Sequence, residues 1–209
     1  MRTVAIRLVS LVLMATAVAS TGCSILAPQR DVSRFYTLAV LPEAQAAAPG
    51  RAHAASGPIY GLGPITLPAY LDRNEIATRV SPTELTYADN DRWAERLEAN
   101  ATRVLLQNLS SLLATERIVT FPWPLDVPVD YQIEVTVLRF ERTAAGEATL
   151  SARWRIKDVR KGKTVRFNES DFTQPGAGTT ADSVTALSAA LGDLSREIAA
   201  ALQEGGRKK

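Results

Sequence analysis

Tyr131-Gln-Ile-Glu-Val-Thr-Val-Leu-Arg-Phe140, followed by Thr149-Leu-Ser-Ala-Arg-Trp-Arg-Ile-Lys157, is the stretch on which the fold turns. Tyr131, Ile133, Val135 and Val137 alternate with Gln132, Glu134 and Thr136. Further on, Leu150, Ala152, Trp154 and Ile156 alternate with Thr149, Ser151, Arg153, Arg155 and Lys157. Successive side chains of a strand point to opposite faces, so each run reads as a strand with one apolar and one polar face. Between the runs the apolar phase moves to Leu138 and Phe140, which calls for a bulge or for burial of both faces. Lys161-Gly162-Lys163 supplies a turn whose glycine is free to take positive φ, and Val165 and Phe167 continue into a third strand. The cations of the second strand form a basic outer face, expected to meet acids or water.

Towards the N-terminus, Arg34-Phe-Tyr-Thr-Leu-Ala-Val40 has the β-branched and aromatic content of a first strand. Residues 42–57, rich in Ala, Pro and Gly, read as a flexible loop. A strand bent near Gly61-Leu-Gly-Pro64 follows; its Gly-x-Gly lacks the third glycine of a phosphate-binding turn. Ile76–Val80 and Thr83–Tyr87 flank Ser81-Pro82 as a hairpin. Ala88-Asp-Asn-Asp91 predicts a helix N-cap, and Trp93, Leu97, Ala101, Val104, Leu105, Leu109 and Leu112 predict one face of a helix of about six turns, with Trp93 in its first turn. Ile118–Phe121 is a short strand ended by Pro122-Trp123-Pro124, because proline cannot donate to a ladder. After a loop over 173–180, Val184, Leu187, Leu191, Leu194, Ile198 and Ala201 give a second helix from near Asp182, stopped at Gly205-Gly206 and followed by a basic tail over 206–209. The order β-β-ββ-α-β-βββ-α predicts a single α/β domain of the α+β kind over 34–205, a mixed or antiparallel sheet packed with two long helices.

The 209 residues carry 24 Lys+Arg against 22 Asp+Glu, one Cys and one His. That balance argues against a nucleic-acid binder. One Cys with one His cannot build a zinc site, and one Cys cannot close an internal disulfide. No Gly-x-Ser-x-Gly elbow, metal motif or phosphate loop occurs, and His53 sits in the Ala-rich loop. The expectation is a protein that is not an enzyme and uses no metal or other cofactor.

Arg2 and Arg7, an apolar run over 8–19, then Ser20-Thr-Gly-Cys23 have the layout of a secretory signal peptide over 1–22. The apolar run falls short of the roughly 20 residues of a spanning helix. The pattern resembles a bacterial lipobox, with Ser20 where leucine is usual, and makes Cys23 the expected lipidation site at the head of a tether over 23–33. Acyl chains contribute about 0.8 kcal/mol per buried methylene, enough for durable anchoring when two or three are present. Ser24 in place of the aspartate that favours inner-membrane retention points to the outer membrane, facing the periplasm. Removal of Arg2 and Arg7 leaves 22 cations against 22 carboxylates, a neutral mature body.

Behind that lipobox come Arg34-Phe-Tyr-Thr-Leu38, Tyr70-Leu-Asp-Arg73, Asp91-Arg-Trp-Ala-Glu95 and Val104-Leu-Leu-Gln-Asn-Leu109. Val137-Leu-Arg-Phe140, Leu150-Ser-Ala-Arg-Trp154 and Ala186-Leu-Ser-Ala-Ala-Leu-Gly-Asp-Leu-Ser-Arg-Glu-Ile198 follow. In this order the segments resemble the PqiC-type ABC-transport auxiliary lipoproteins across nearly the whole mature chain. Arg96 stands where that family's pattern has proline. The resemblance implies an outer-membrane lipoprotein serving an MCE-type system that moves lipid between two membranes. An MCE-domain protein is the implied partner, and members can assemble into homo-oligomeric rings. No catalytic residues are implied. The expected role is a docking or adaptor subunit, the alternative a lipid carrier with its own acyl-chain pocket. Trp93 reads first as core packing and Trp123 as a cap on the core from its loop; as side chains to meet a partner, these two are the candidates.

Overall fold

The computed structural model describes residues 32–45 and 56–207. In the unit that begins at Ser33, the elements run β1 (Arg34–Tyr36), α1 (Pro42–Gln45), β2 (Tyr60–Thr66), a 3-10 turn (Ala69–Leu71), β3 (Glu75–Ser81) and β4 (Glu84–Trp93). They continue with α2 (Leu97–Leu112), β5 (Ile118–Thr120), β6 (Tyr131–Thr143), β7 (Ala148–Asp158), β8 (Lys163–Gln174) and α3 (Thr180–Arg207). The sheet is mixed, as expected. Long β6 is its spine: β7 pairs antiparallel along one side and β8 pairs antiparallel outside β7. On the other side of β6, β2 pairs parallel with the first half and β3 pairs parallel at Arg142 and Thr143. β5 lies outside β2, while β4 and then β1 lie outside β3.

The phase change at Leu138 resolves as a bulge. Val137 faces Ala152, Arg139 faces Ser151 and Phe140 faces Leu150, so one extra residue restores the apolar phase. Leu62, Ile133, Val135, Leu150, Trp154 and Ile156 thereby share one face with the buried Leu105, Leu109, Leu187, Leu191, Leu194 and Ile198 of the helices. Helix α2 lies on β2 and β5, α3 lies on β6, β7 and β8, and the two helices pack against each other. The Trp154 indole N–H donates to Ser170 Oγ at 3.1 Å, so this large core side chain is buried with its polar atom satisfied.

The start of the first long helix differs from the expectation. Residues 88–93 complete β4, and α2 begins at Leu97, spanning 16 residues, with no side-chain cap on its N-terminus. The reason is tertiary. This segment is paired by β3 on one edge and β1 on the other, and those ladders outweigh a local capping preference. Trp93 is therefore a strand residue, in register with Tyr36. The last helix begins at Thr180 and continues through Gly205-Gly206 to Arg207. A glycine costs only about 1 kcal/mol in a helix interior, too little to end a helix docked along its length. The basic tail expected from 206 thus begins inside the helix.

The segment after β1 is held by side chains rather than by a ladder. Leu38 N–H donates to Asn100 Oδ1 at 3.2 Å, Ala39 N–H to Ser188 Oγ at 3.0 Å and Leu41 N–H to Asn108 Oδ1 at 2.9 Å. Asn108 Nδ2 also donates to Ser195 Oγ at 3.1 Å. Residues 37–41 thus lie as a strap across α2 and α3, where a longer first strand was expected. Pro42–Gln45, assigned to the flexible loop from sequence, is a helical turn tied to α3 by Glu43 and Arg196 at 2.8 Å. Cys23, His53 and the rest of that loop through residue 55 lie outside the described residues.

Candidate partner-docking surface

Between β5 and β6 the chain returns across the sheet without a helix. Pro122 and Pro124 end the β5 ladder, although Phe121 N–H still donates to Leu62 O at 2.8 Å. Leu62 faces the helices, so its neighbours Gly61 and Gly63 face the other way by the period of two. Trp123 lies on that second face. A Cβ at Gly61 would stand 2.7 Å from the indole ring, and one at Gly63 would stand 2.8 Å from Phe121 Cβ. The Gly-x-Gly of the sequence is thus explained by close approach of two aromatic residues, with Gly63 at φ +116° as well. Phe121 and Trp123 meet edge to face at 5.6 Å.

Asp130 closes the other end of this loop. Its backbone N–H donates to Ile59 O at 2.8 Å, its carboxylate accepts from Ile59 N–H at 2.9 Å, and Arg160 pairs with it at 3.2 Å. Val129 is buried. A loop stapled at both ends presents Leu125, fully exposed, and Phe121, 53% exposed, while Trp123 is half-buried and holds it down. Large apolar side chains held outward by a rigid support mark an interaction site more than isolated ones do.

The two tryptophans that are candidates to meet a partner have different places. Trp93 is 4% exposed, in the core. Trp123 anchors the loop, and the side chains it displays are Phe121 and Leu125. The sequence reading missed both; a leucine isolated in the run Pro122-Trp-Pro-Leu-Asp-Val-Pro128, with no apolar period to bury it, was the signal to follow.

Two buried carboxylates, Glu141 and Asp91, lie elsewhere and serve the fold, while the buried Asp158 lies beside the Asp130 staple. Glu141, with no exposed side-chain surface, accepts from Tyr70 Oη at 2.5 Å, Arg79 Nε at 2.5 Å and Arg139 Nε at 3.2 Å. Burial pushes its pKa up, but these three donors together outweigh that and hold it below its ordinary value. Tyr70 is pushed up by burial first and then by its bond to Glu141. Asp91 accepts from Arg34 Nε at 2.6 Å, from Tyr36 and from Thr180. Its desolvation is likewise outweighed, and its pKa is lowered. On the open face, Arg153 pairs with Glu169 at 2.6 Å and Arg155 Nε with Glu134 at 2.7 Å, so the expected basic face is matched by acids. Among the described residues, no group of three or more His, Cys, Asp or Glu gathers as metal ligands.

The family model for the ABC-type transport auxiliary lipoprotein component matches residues 36–199. The chain belongs to this family. An auxiliary lipoprotein of an ABC-type transport system is what the sequence resemblance implied, and the α+β fold agrees with known structures. A crystal structure of an uncharacterized protein superposes with a TM-score of 0.63 at 21% identity, covering 81% of this auxiliary lipoprotein and 98% of that chain. A protein from Xanthomonas campestris of the DUF330 family gives 0.66 at 17% identity, covering 83% and 99%. The comparison with curated proteins finds none that matches. No helix among the described residues of this auxiliary lipoprotein is long and apolar enough to cross a membrane.

Proposed function

We propose that this chain, acylated at Cys23 and held on the periplasmic face of the outer membrane, is the docking or adaptor subunit of an MCE-type intermembrane lipid transport system. The observation that carries the reading is the stapled loop over 121–129, which holds Phe121 and Leu125 outward on a rigid platform in a member of a transport-auxiliary family. Such a loop supplies position and contact area with little ordering cost on binding. In this reading the MCE-domain protein is the partner, and lipid passes along that partner or through a ring of these subunits.

The alternative is a carrier with its own acyl pocket. The recess among Tyr131, Ile156, Val165 and Leu202 has about 130 Å³, against about 300–1,000 Å³ for ordinary ligand pockets. A depression of about 500 Å³ beside α1 and α2 has the size, but it is open, and Gln45, Gln107, Ser110, Ser111 and Glu116 line it together with Val40, Ala44 and Leu106. Neither offers an enclosed apolar slot for a fatty chain, which favours the adaptor.

The test is a crosslinked pull-down of the membrane-anchored protein from its native host, with mass spectrometry of the partners and of any bound lipid. An MCE-domain protein in the eluate is the expected result. Its absence from intact, acylated protein, together with one phospholipid per chain, would replace the adaptor by the carrier.

A further inference from the structure

We infer that the β7–β8 hairpin end of the domain receives an acidic, partly apolar segment of the periplasmic partner; this rests on the adaptor reading above. Between residues 157 and 166 stand Lys157, Arg160, Lys161, Lys163 and Arg166 against the single carboxylate of Asp158. Arg160 pairs with Asp130 at 3.2 Å and Lys161 with Asp158 at 3.7 Å, while Lys157, Lys163 and Arg166 form no ion pair among the described residues. The arginines nearer the middle of the sheet, Arg153 and Arg155, are both paired. The neutral mature charge thus conceals a cationic end.

Apolar side chains stand on the same edge strand as these cations, with Phe167 opposite Arg155 on the open face and Arg166 opposite Ile156 on the other. Phe167 is 63% exposed and Val165 53% exposed, with Val159 partly exposed in the turn. Lysines and a bulge are common guards on an edge strand such as β8, and β8 has both, since Ile156 faces Arg166 while Lys157 faces Thr164. That protection accounts for cations on the edge and for the irregular ladder. It gives no reason for an exposed phenylalanine and valine on the same edge, which an interface that wraps the edge, with apolar and charged contacts, does. The bulge also disfavours pairing by a partner's strand, so recognition falls to side chains.

Continuity with the 121–129 loop, the contact surface of the adaptor reading, selects a protein segment as the occupant. The chain enters the domain at Arg34, bonded to Asp91, which also accepts from Thr180 at the start of α3. Val165 and Arg166 share a recess with Leu202, Glu204 and Gly205 near the other end of α3. Its 28 residues separate the two ends by about 42 Å at 1.5 Å per residue. Asp130 and Arg160 join the hairpin to the 121–129 loop, so charged and apolar contacts adjoin at one end of the domain.

The experiment uses the full-length acylated protein in nanodiscs and the purified MCE-domain protein of the same host, with the variants K163E/R166E and F167S. Circular dichroism melts check that each variant folds as the wild type does. The expected result is wild-type binding that weakens as salt is raised, and a loss of about tenfold or more on charge reversal, as for close interfacial charge pairs. Wild-type binding left unchanged by both variants overturns the hairpin and leaves the adaptor reading standing. No wild-type binding overturns both. Reversal that abolishes binding to phosphatidylglycerol vesicles but not to the MCE-domain protein overturns the acidic segment in favour of an anionic bilayer.

Discussion

Where the chain enters the domain, each buried carboxylate is surrounded: Asp91 by Arg34, Tyr36 and Thr180, and Glu141 by Tyr70, Arg79 and Arg139. Some 42 Å away, by the length of α3, Lys157, Lys163 and Arg166 have no carboxylate partner among the described residues, and Phe167 and Leu125 face water. Charge at the first end is desolvated and committed to one arrangement. At the second, Asp158 is buried as well, but Lys157, Lys163 and Arg166 form no ion pair among the described residues, so substitution of these three cations is expected to leave the fold intact. In the proposed role, stability and recognition fall at opposite ends of one sheet.

Breaking the committed end has the largest expected effect. Glu141→Ala leaves Tyr70 and Arg79 without their acceptor, and loss of one partner of a buried pair costs about 3 kcal/mol or more; urea unfolding measures it. Glu141→Gln keeps an acceptor for Tyr70 and should cost less. Next comes the platform: Gly61→Val drives side-chain atoms into Trp123, with an expected loss of about 1–3 kcal/mol and a red shift of tryptophan emission as the ring leaves Gly61.

The pH dependence sharpens the same contrast. Glu141 and Asp91 have folded-state pKa values below their ordinary 4.5 and 3.8. Their stabilisation is fully present above those unfolded-state values and is lost as pH falls through the lower folded ones. Stability should therefore fall below about pH 4.5, and Glu141→Gln should flatten that slope, while Lys163→Glu adds a solvated carboxylate and leaves it nearly unchanged. The smallest stability effect is expected at the displayed loop: Leu125→Ser should alter unfolding by under about 0.5 kcal/mol, yet reduce recovery of the MCE-domain protein in the pull-down.

Much of this architecture was legible in the residues. The alternation from Tyr131 to Ile156 gave the spine of the sheet, and the phase slip at Leu138 gave its bulge, because burial of one face ties register to pattern. The start of α2 was not legible: Asp89 and Asp91 have the chemistry of a helix cap, and only the pairing of β4 with both β1 and β3 overrides it. Glu141 was equally opaque, since a glutamate in the outward phase of a strand ordinarily meets water. Its burial depends on Tyr70 and Arg79, more than 60 residues away in sequence. At the docking surface, the Pro-Trp-Pro motif located the loop but pointed to its anchor, whereas Leu125, without any period to place it, is the side chain on display.

The strap over 37–41 has a mechanical consequence. In the proposed role, a pull through the N-terminal tether arrives at Arg34. β1 pairs side by side with β4 over its whole length, so a force along the strand loads its ladder bonds together rather than unzipping them one by one. Behind it, Asn100, Ser188 and Asn108 grip the backbone in succession, and Glu43 with Arg196 forms a last clasp. Tension is thereby passed into both long helices at several points, and the far end of the domain keeps its shape while the near end bears the load.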